Sequence, residues 1–187
     1  MDIYLIRHTS LILEPGICYG ISEIDVSSSF EEEKENIINK LPKLENFSLF
    51  SSQLLRCRKL AEALSHGTIE FSPLLNEFNY GDWEMKKWTE IDNKLLNEYM
   101  NGFVNFRVPG GDTYFEVTER VKQFMSELFS KEIENTVIVT HSGIIAAFLS
   151  LFIGLPIEKA AYFRPNYGSI TKLVYTKDYR FVDYVNR

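Results

Sequence analysis

The sequence predicts an α/β protein, a three-layer α/β/α sandwich around a mostly parallel central sheet, and three observations support this. Short apolar runs recur along the chain, the signature of strands covered on both faces. Helix-like stretches separate most of them, as the crossover connections of a parallel sheet require. The 187 residues are 45% hydrophobic and 14% aromatic, enough to fill a substantial core and far from a disordered composition.

The strand-like runs are 2–7 (DIYLIR), 47–51 (FSLFS), 69–72 (IEFS), 136–140 (TVIVT), 169–176 (SITKLVYT) and 180–185 (RFVDYV). Helices are expected at about 28–41, 53–65, 88–101, 112–131 and 143–153. EEEKEN at 31–36 places acids at the positive end of a helix dipole and reads as a solvated face. In 119–129, Val121, Phe124, Met125 and Leu128 fall at helical intervals, a core-facing stripe. No repeat, low-complexity tract or linker interrupts the pattern, so residues 1–187 are expected to form a single domain.

Composition narrows the function. A formal net charge of −6 leaves no broad basic surface for a polyphosphate backbone, so nucleic acid is not an expected partner. The strongest apolar run, GIIAAFLSLFIGL at 143–155, is shorter than the roughly 20 residues of a bilayer span. MDIYLIRH at the start lacks the basic region and apolar core of a signal peptide, so a cytoplasmic location without a membrane partner is expected. Cys18 and Cys57 form no C-x-x-C pair and are too few for a disulfide framework, which predicts reduced thiols. Neither has an Arg six positions on, so the phosphate loop of cysteine-dependent phosphatases is missing.

Ligands of open α/β sheets bind beyond the carboxyl ends of the strands. Arg7-His8-Thr9 leaves the first strand, and His141 follows the apolar strand VIVT and precedes a helix opening at Ser142. Ser51 and Ser52 close another strand, with Arg56 on the next helix, and Glu77 lies in the aromatic loop LNEFNYGDWE. Singly, each has an ordinary reading: a hydrogen-bonded structural histidine, a surface arginine, a loop acid. What favours chemistry is that two of the three histidines occupy equivalent strand-terminal positions.

If these ends converge, two imidazoles and two guanidiniums share one pocket. At an effective dielectric near 20 each like-charge pair about 4 Å apart costs about 4 kcal/mol, and a dianionic phosphoryl group reverses that sign. Arg clamps phosphate oxygens in a fork, and the helix start adds amide donors. One imidazole would attack phosphorus while the other and the arginines hold the developing charge. Glu77 is the best-placed proton donor, since aromatic neighbours and a phosphate favour a protonated carboxyl.

These residues resemble the histidine phosphatase superfamily, the phosphoglycerate-mutase-like enzymes. LIRHT is similar to its L-x-R-H-G signature, SSQLLRC to S-S-x-L-x-R, NEFNYGDWE to the loop carrying the acid, and THSG to the second histidine motif, in order from residue 3 to about 145. The resemblance implies a phosphoglycerate-mutase-like fold, His8 as the phosphorylated nucleophile, Glu77 as proton donor, and Arg7, Arg56 and His141 as the phosphate pocket. Thr9, Tyr19, Gly20 and Ser142 complete the expected substrate-binding set, and no metal or other cofactor is implied. RHT, GICYG and VPGGDT are most similar to the α-ribazole-5′-phosphate phosphatase branch, which acts late in cobalamin nucleotide-loop assembly. Thr9 stands where most members have Gly, Asp112 where many have Glu, and Glu14 where an Asn is common, which suggests a rearranged phosphate loop.

The expected partner is a small phosphorylated substrate, with a homodimer as the alternative to a monomer. No extra Arg or Lys cluster lies near the motifs, so monoester hydrolysis is favoured over mutase chemistry. Tyr80, Trp83 and Trp88 are candidates to stack on a flat leaving group, or else to pack the following helix. The rival readings are a broad-range or sugar-phosphate phosphatase and a silent phospho-ligand binding module. A metal-dependent hydrolase is disfavoured because H-E-x-x-H and a strand-end D-x-D are missing.

Overall fold

The computed structural model describes residues 1–43 and 47–187. Six strands, β1 (Asp2–Arg7), β2 (Ser48–Ser51), β3 (Ile69–Phe71), β4 (Asn135–Thr140), β5 (Ile170–Tyr175) and β6 (Arg180–Tyr184), form one sheet in the order β3-β2-β4-β1-β5-β6. The first four are mutually parallel; β5 and β6 join antiparallel at one side. The expected mostly parallel sheet is therefore present, and the phosphoglycerate-mutase-like layering with it.

Alternation along the central strands sorts the core into two layers. Ile3, Leu5 and Ile138 face the layer filled by α4 (Tyr114–Phe129) and α5 (Ser142–Ile153). Tyr4, Ile6, Val137 and Val139 face the layer filled by α1 (Phe30–Lys40) and α2 (Leu55–Leu64). Helix α5 carries the apolar run because Ile144, Ile145, Phe148, Leu149 and Phe152 are all buried, and Gly154 ends it in the left-handed conformation at φ 72°. No helix among the described residues is long and apolar enough to cross a membrane.

The expected 88–101 helix is shorter than its pattern suggested. Trp88–Glu90 makes a 3-10 turn, and α3 (Asn93–Gly102) starts only where Asp92 accepts from the amides of Lys94 and Leu95. The EEEKEN acids do occupy the first turn of α1, but they are not uniformly a solvated face. Glu33 accepts from the amide of Ser10 at 2.9 Å and from the Ser29 hydroxyl at 2.6 Å, tying the helix to the loop after β1.

Candidate active site

Sheet register builds the site. Arg7 pairs with Thr140 on the adjacent parallel strands β1 and β4, so the next residues, His8 and His141, emerge side by side. The amide of His8 donates to the Thr140 carbonyl at 3.0 Å, and that of Ser52 to the Val139 carbonyl at 3.0 Å, which brings the end of β2 alongside. The two imidazoles meet edge to face, ring centres 5.2 Å apart. His8, Thr9, Ser52, Arg56 and His141 are all buried.

Hydrogen-bond partners assign the tautomers. Nδ1 of His8 lies 2.8 Å from the Thr9 carbonyl, an acceptor only, so Nδ1 carries the proton and Nε2 the lone pair. Nδ1 of His141 faces Nε of Arg56 at 3.3 Å, a donor only, so this ring is protonated on Nε2, which donates to the Ser52 hydroxyl at 2.8 Å. Ser52 in turn donates to Oδ1 of Asn76 at 2.9 Å. Burial, then the neighbouring guanidiniums, hold both imidazoles well below the usual histidine range.

This corrects the expected electrostatics. The pocket holds two cations, not four, because the imidazoles relieve the repulsion by staying neutral. Neutrality also leaves His8 a free lone pair, which a nucleophile needs.

Arg56 spends three of its five donors on the protein: Nε on His141, Nη1 on the Ser22 carbonyl at 2.8 Å, and Nη2 on the Gly20 carbonyl. Arg7 donates from Nη1 to the Pro165 carbonyl at 2.8 Å and from Nη2 to the Tyr19 hydroxyl at 3.3 Å. Its Nε and the Thr9 hydroxyl are buried without a hydrogen-bond partner among the described residues, a pair of polar groups suited to an anion's oxygens. Gly20 is required by space: a Cβ there would stand 1.8 Å from the Phe78 carbonyl oxygen.

Glu77 reaches the same place from the loop after β3. Its Oε2 accepts from the amide of Gly143 at 3.2 Å and its Oε1 from Phe78 at 3.0 Å, so one donor expected of the α5 start is already engaged. A Cβ at position 143 would meet Oε1 at 2.5 Å, which explains the glycine after Ser142. Arg120 on α4 holds the Glu77 loop by its backbone, donating to the carbonyls of Leu74, Asn76 and Glu77. Glu14 is exposed.

Beside this centre opens a cavity of about 470 Å³, lined by Arg7, Tyr19, Glu77, Ser142 and Gly143 at its polar end and by aromatic rings elsewhere. Tyr80, Trp88, Tyr99 and Phe103 line it, whereas Trp83 is buried and packs on Tyr99 of α3 and on Phe106. Trp83 is therefore a packing residue, and the cavity wall belongs to Tyr80 and Trp88. Both cysteines are free thiols, and both are buried; burial pushes the Cys57 thiol up, although its sulfur lies 3.4 Å from Nε2 of His141.

Of the residues singled out from sequence, Arg7, His8, Thr9, Tyr19, Gly20, Arg56, Glu77, His141 and Ser142 gather here, whereas Trp83 packs away from the cavity and Glu14 is exposed. Those missed are Ser52 as a partner of His141, Asn76, Arg120, Tyr167 and Glu84. Arg120 alone left a trace, a charged residue one position before Val121 and three after Val117 on the buried side of α4.

Two neutral imidazoles and the Arg7 guanidinium at neighbouring strand ends, Arg56 from the helix after β2 and the Glu77 carboxyl beside an aromatic cavity make a set of groups suited to holding a phosphoryl group. Residues 3–187 match the model of the histidine phosphatase superfamily (branch 1), and the chain belongs to that superfamily. An adenosylcobalamin/alpha-ribazole phosphatase of Escherichia coli K12 is 24% identical over 90% of this chain and 87% of that protein. A probable phosphoglycerate mutase of Shigella boydii is 26% identical over 94% of this chain and 85% of its own length. The crystal structure of the alpha-ribazole phosphatase from Shigella flexneri superposes with a TM-score of 0.92 at 23% identity, covering 100% of this chain and 96% of the other. The superposition shows a shared fold.

Proposed function

We propose that this phosphoric monoester hydrolase cleaves α-ribazole 5′-phosphate to α-ribazole and orthophosphate in cobalamin biosynthesis, through a phosphohistidine on His8. Nε2 of His8 attacks phosphorus as the bond to the leaving oxygen breaks, and Glu77 gives that oxygen its proton. Arg7 and Arg56, with Thr9 and the Ser142 end of α5, hold the equatorial oxygens. His141 joins them by exchanging its bond to Ser52 for one to phosphate. Water then attacks phosphorus, the P–N bond breaks, and Glu77 takes the proton of the water.

The observation that carries this reading is the aromatic cavity abutting Arg7 and Glu77. It suits a flat, uncharged leaving group such as a benzimidazole nucleoside, and Arg7 is the one cation among its described lining residues. A second anionic group, as in a phosphoglycerate undergoing mutase chemistry, would find no cation besides Arg7 among the described lining residues. The relative named for α-ribazole phosphate supports the same choice.

The test compares kcat/KM for α-ribazole 5′-phosphate with that for simple sugar phosphates and 3-phosphoglycerate. A preference of tenfold or more for the sugars would defeat the substrate assignment. Rapid quenching with labelled substrate should trap an acid-labile, base-stable phosphate on His8, and His8→Ala should abolish both label and turnover. Turnover surviving that change would remove His8 from its role.

A further inference from the structure

We propose that Tyr167 is a positioning residue for phosphate binding, fixing the guanidinium of Arg7 so that its Nε edge is left for the phosphoryl group. The inference rests on the assignment of Arg7 to the phosphate pocket. Cζ of Arg7 lies 3.8 Å from the centre of the Tyr167 ring, which sets the plane of the guanidinium. The Tyr167 hydroxyl is 2.5 Å from that of Tyr19, which accepts from Nη2 of Arg7, and the neighbouring Pro165 carbonyl takes Nη1. One face and both terminal nitrogens are thus engaged, while Nε is buried and unpartnered among the described residues.

The support is anchored where it acts. The amide of Gly168 donates to the His8 carbonyl at 3.2 Å, and that of Arg7 to the Ser169 carbonyl at 3.1 Å, so the segment carrying Tyr167 is tied to the residues it orders. The Tyr167 ring also lies 5.5 Å from that of His8. Core packing does not explain the residue, because Tyr167 is 38% exposed.

The choice of an aromatic support follows from charge. A carboxylate against Arg7 would hold it as firmly but would neutralise it and repel the incoming dianion. A phenol face offers partial negative charge to the cation and little to an anion bound at the edge. Accordingly, neither Arg7 nor Arg56 makes an ion pair among the described residues.

The experiment measures the inhibition constant of orthophosphate, KM and kcat for p-nitrophenyl phosphate, and the unfolding midpoint, in the parent, Y167L, Y167F, R7K and the R7K/Y167L pair. Y167L should raise the orthophosphate constant and KM together by about threefold to tenfold with kcat nearly unchanged, and Y167F, which keeps the ring, should return both to within about twofold of the parent. On the R7K background, Y167L should add less than about half of its effect in the parent, since coupled residues are not additive. Y167L binding orthophosphate like the parent, while R7K loses it, overturns the inference and leaves the phosphate pocket standing. R7K binding like the parent overturns both. Loss in Y167F equal to that in Y167L, with a lowered midpoint, assigns Tyr167 to packing and also overturns it. Should Y167L not fold, Y167Q at this exposed position carries the same thresholds.

Discussion

Nε of Arg56 donates to Nδ1 of His141 at 3.3 Å, and this contact sets the charge state of the site. A guanidinium has only donors, so Nδ1 must keep its lone pair and His141 must be neutral. Bonding of His8 to the Thr9 carbonyl at 2.8 Å gives the opposite tautomer, with the proton on Nδ1 and Nε2 unprotonated. Two neutral rings between two permanent cations leave a deficit that a dianionic phosphoryl group fills.

Stability should therefore fall on mild acidification. Both histidines have folded pKa values below the ordinary value of about 6.5, so as pH drops through that value the unfolded chain takes up protons that the folded chain refuses. The contribution is fully present above about pH 6.5 and is lost towards the lower folded values, at up to about 1.4 kcal/mol per pH unit for each ring. Urea unfolding between pH 7.5 and 5 should show a smaller slope for His8→Gln than for the parent. Equal slopes would mean that His8 is not held neutral by the fold.

Glu84 organises Arg56 from a distance. Its carboxylate accepts from the amides of Gly20, Ile21, Ser22 and Tyr80 and from the Ser22 hydroxyl, while the carbonyls of Gly20 and Ser22 accept from Arg56. The 20–22 backbone is thus aligned between a negative and a positive side chain. Glu84→Gln turns an amide NH2 towards backbone donors, which should lower stability by about 1–3 kcal/mol. If loop order sets the Arg56 geometry, kcat/KM at saturating stability, well below the unfolding midpoint, should also drop by about tenfold or more. Destabilisation without that drop would restrict Glu84 to the fold.

How much of this was legible in the sequence depends on the range of the interaction. The central strands β1, β2 and β4 could be read because burial on two faces leaves continuous apolar runs, the largely exposed β3 and β6 from their β-branched and aromatic residues, and His8, Arg56, Glu77 and His141 because strand ends and motifs mark them. Adjacency of β1 and β4, which puts His8 beside His141, is a pairing of residues over a hundred positions apart that no local pattern encodes. Ser52, Asn76 and Glu84 were hidden for the same reason: each acts through a polar contact distant in sequence, in residue types that also populate turns. Trp83 and Trp88 show the limit for aromatics, since period and composition do not say which ring faces a cavity.

The cavity wall predicts selectivity. Trp88 and Tyr99 lie nearly parallel, 25° apart with ring centres separated by 6.5 Å, and both line the cavity. Trp88→Ala should raise KM for α-ribazole 5′-phosphate and for aryl phosphates by about threefold to tenfold, the range of one aromatic contact, and leave that for glycerol phosphate unchanged. A uniform rise for all three substrates would show that Trp88 shapes the phosphate pocket and not the leaving-group site.

Leaving-group dependence tests Glu77. The carboxyl is held between the Gly143 amide and the carbonyl-anchored loop under Arg120, at the junction of cavity and phosphate pocket. A proton donor matters in proportion to how poorly the leaving oxygen carries negative charge. Glu77→Gln should reduce kcat/KM for alkyl phosphates, including α-ribazole 5′-phosphate, by about 10²- to 10⁴-fold, the usual worth of general acid catalysis. For p-nitrophenyl phosphate, whose phenolate leaves unaided, the loss should stay below about tenfold, because phosphorylation of His8 then needs no proton. An unfolding midpoint measured alongside separates this from damage to the loop. Equal losses for both classes of substrate would show that Glu77 positions the phosphate or orders the loop without donating the proton.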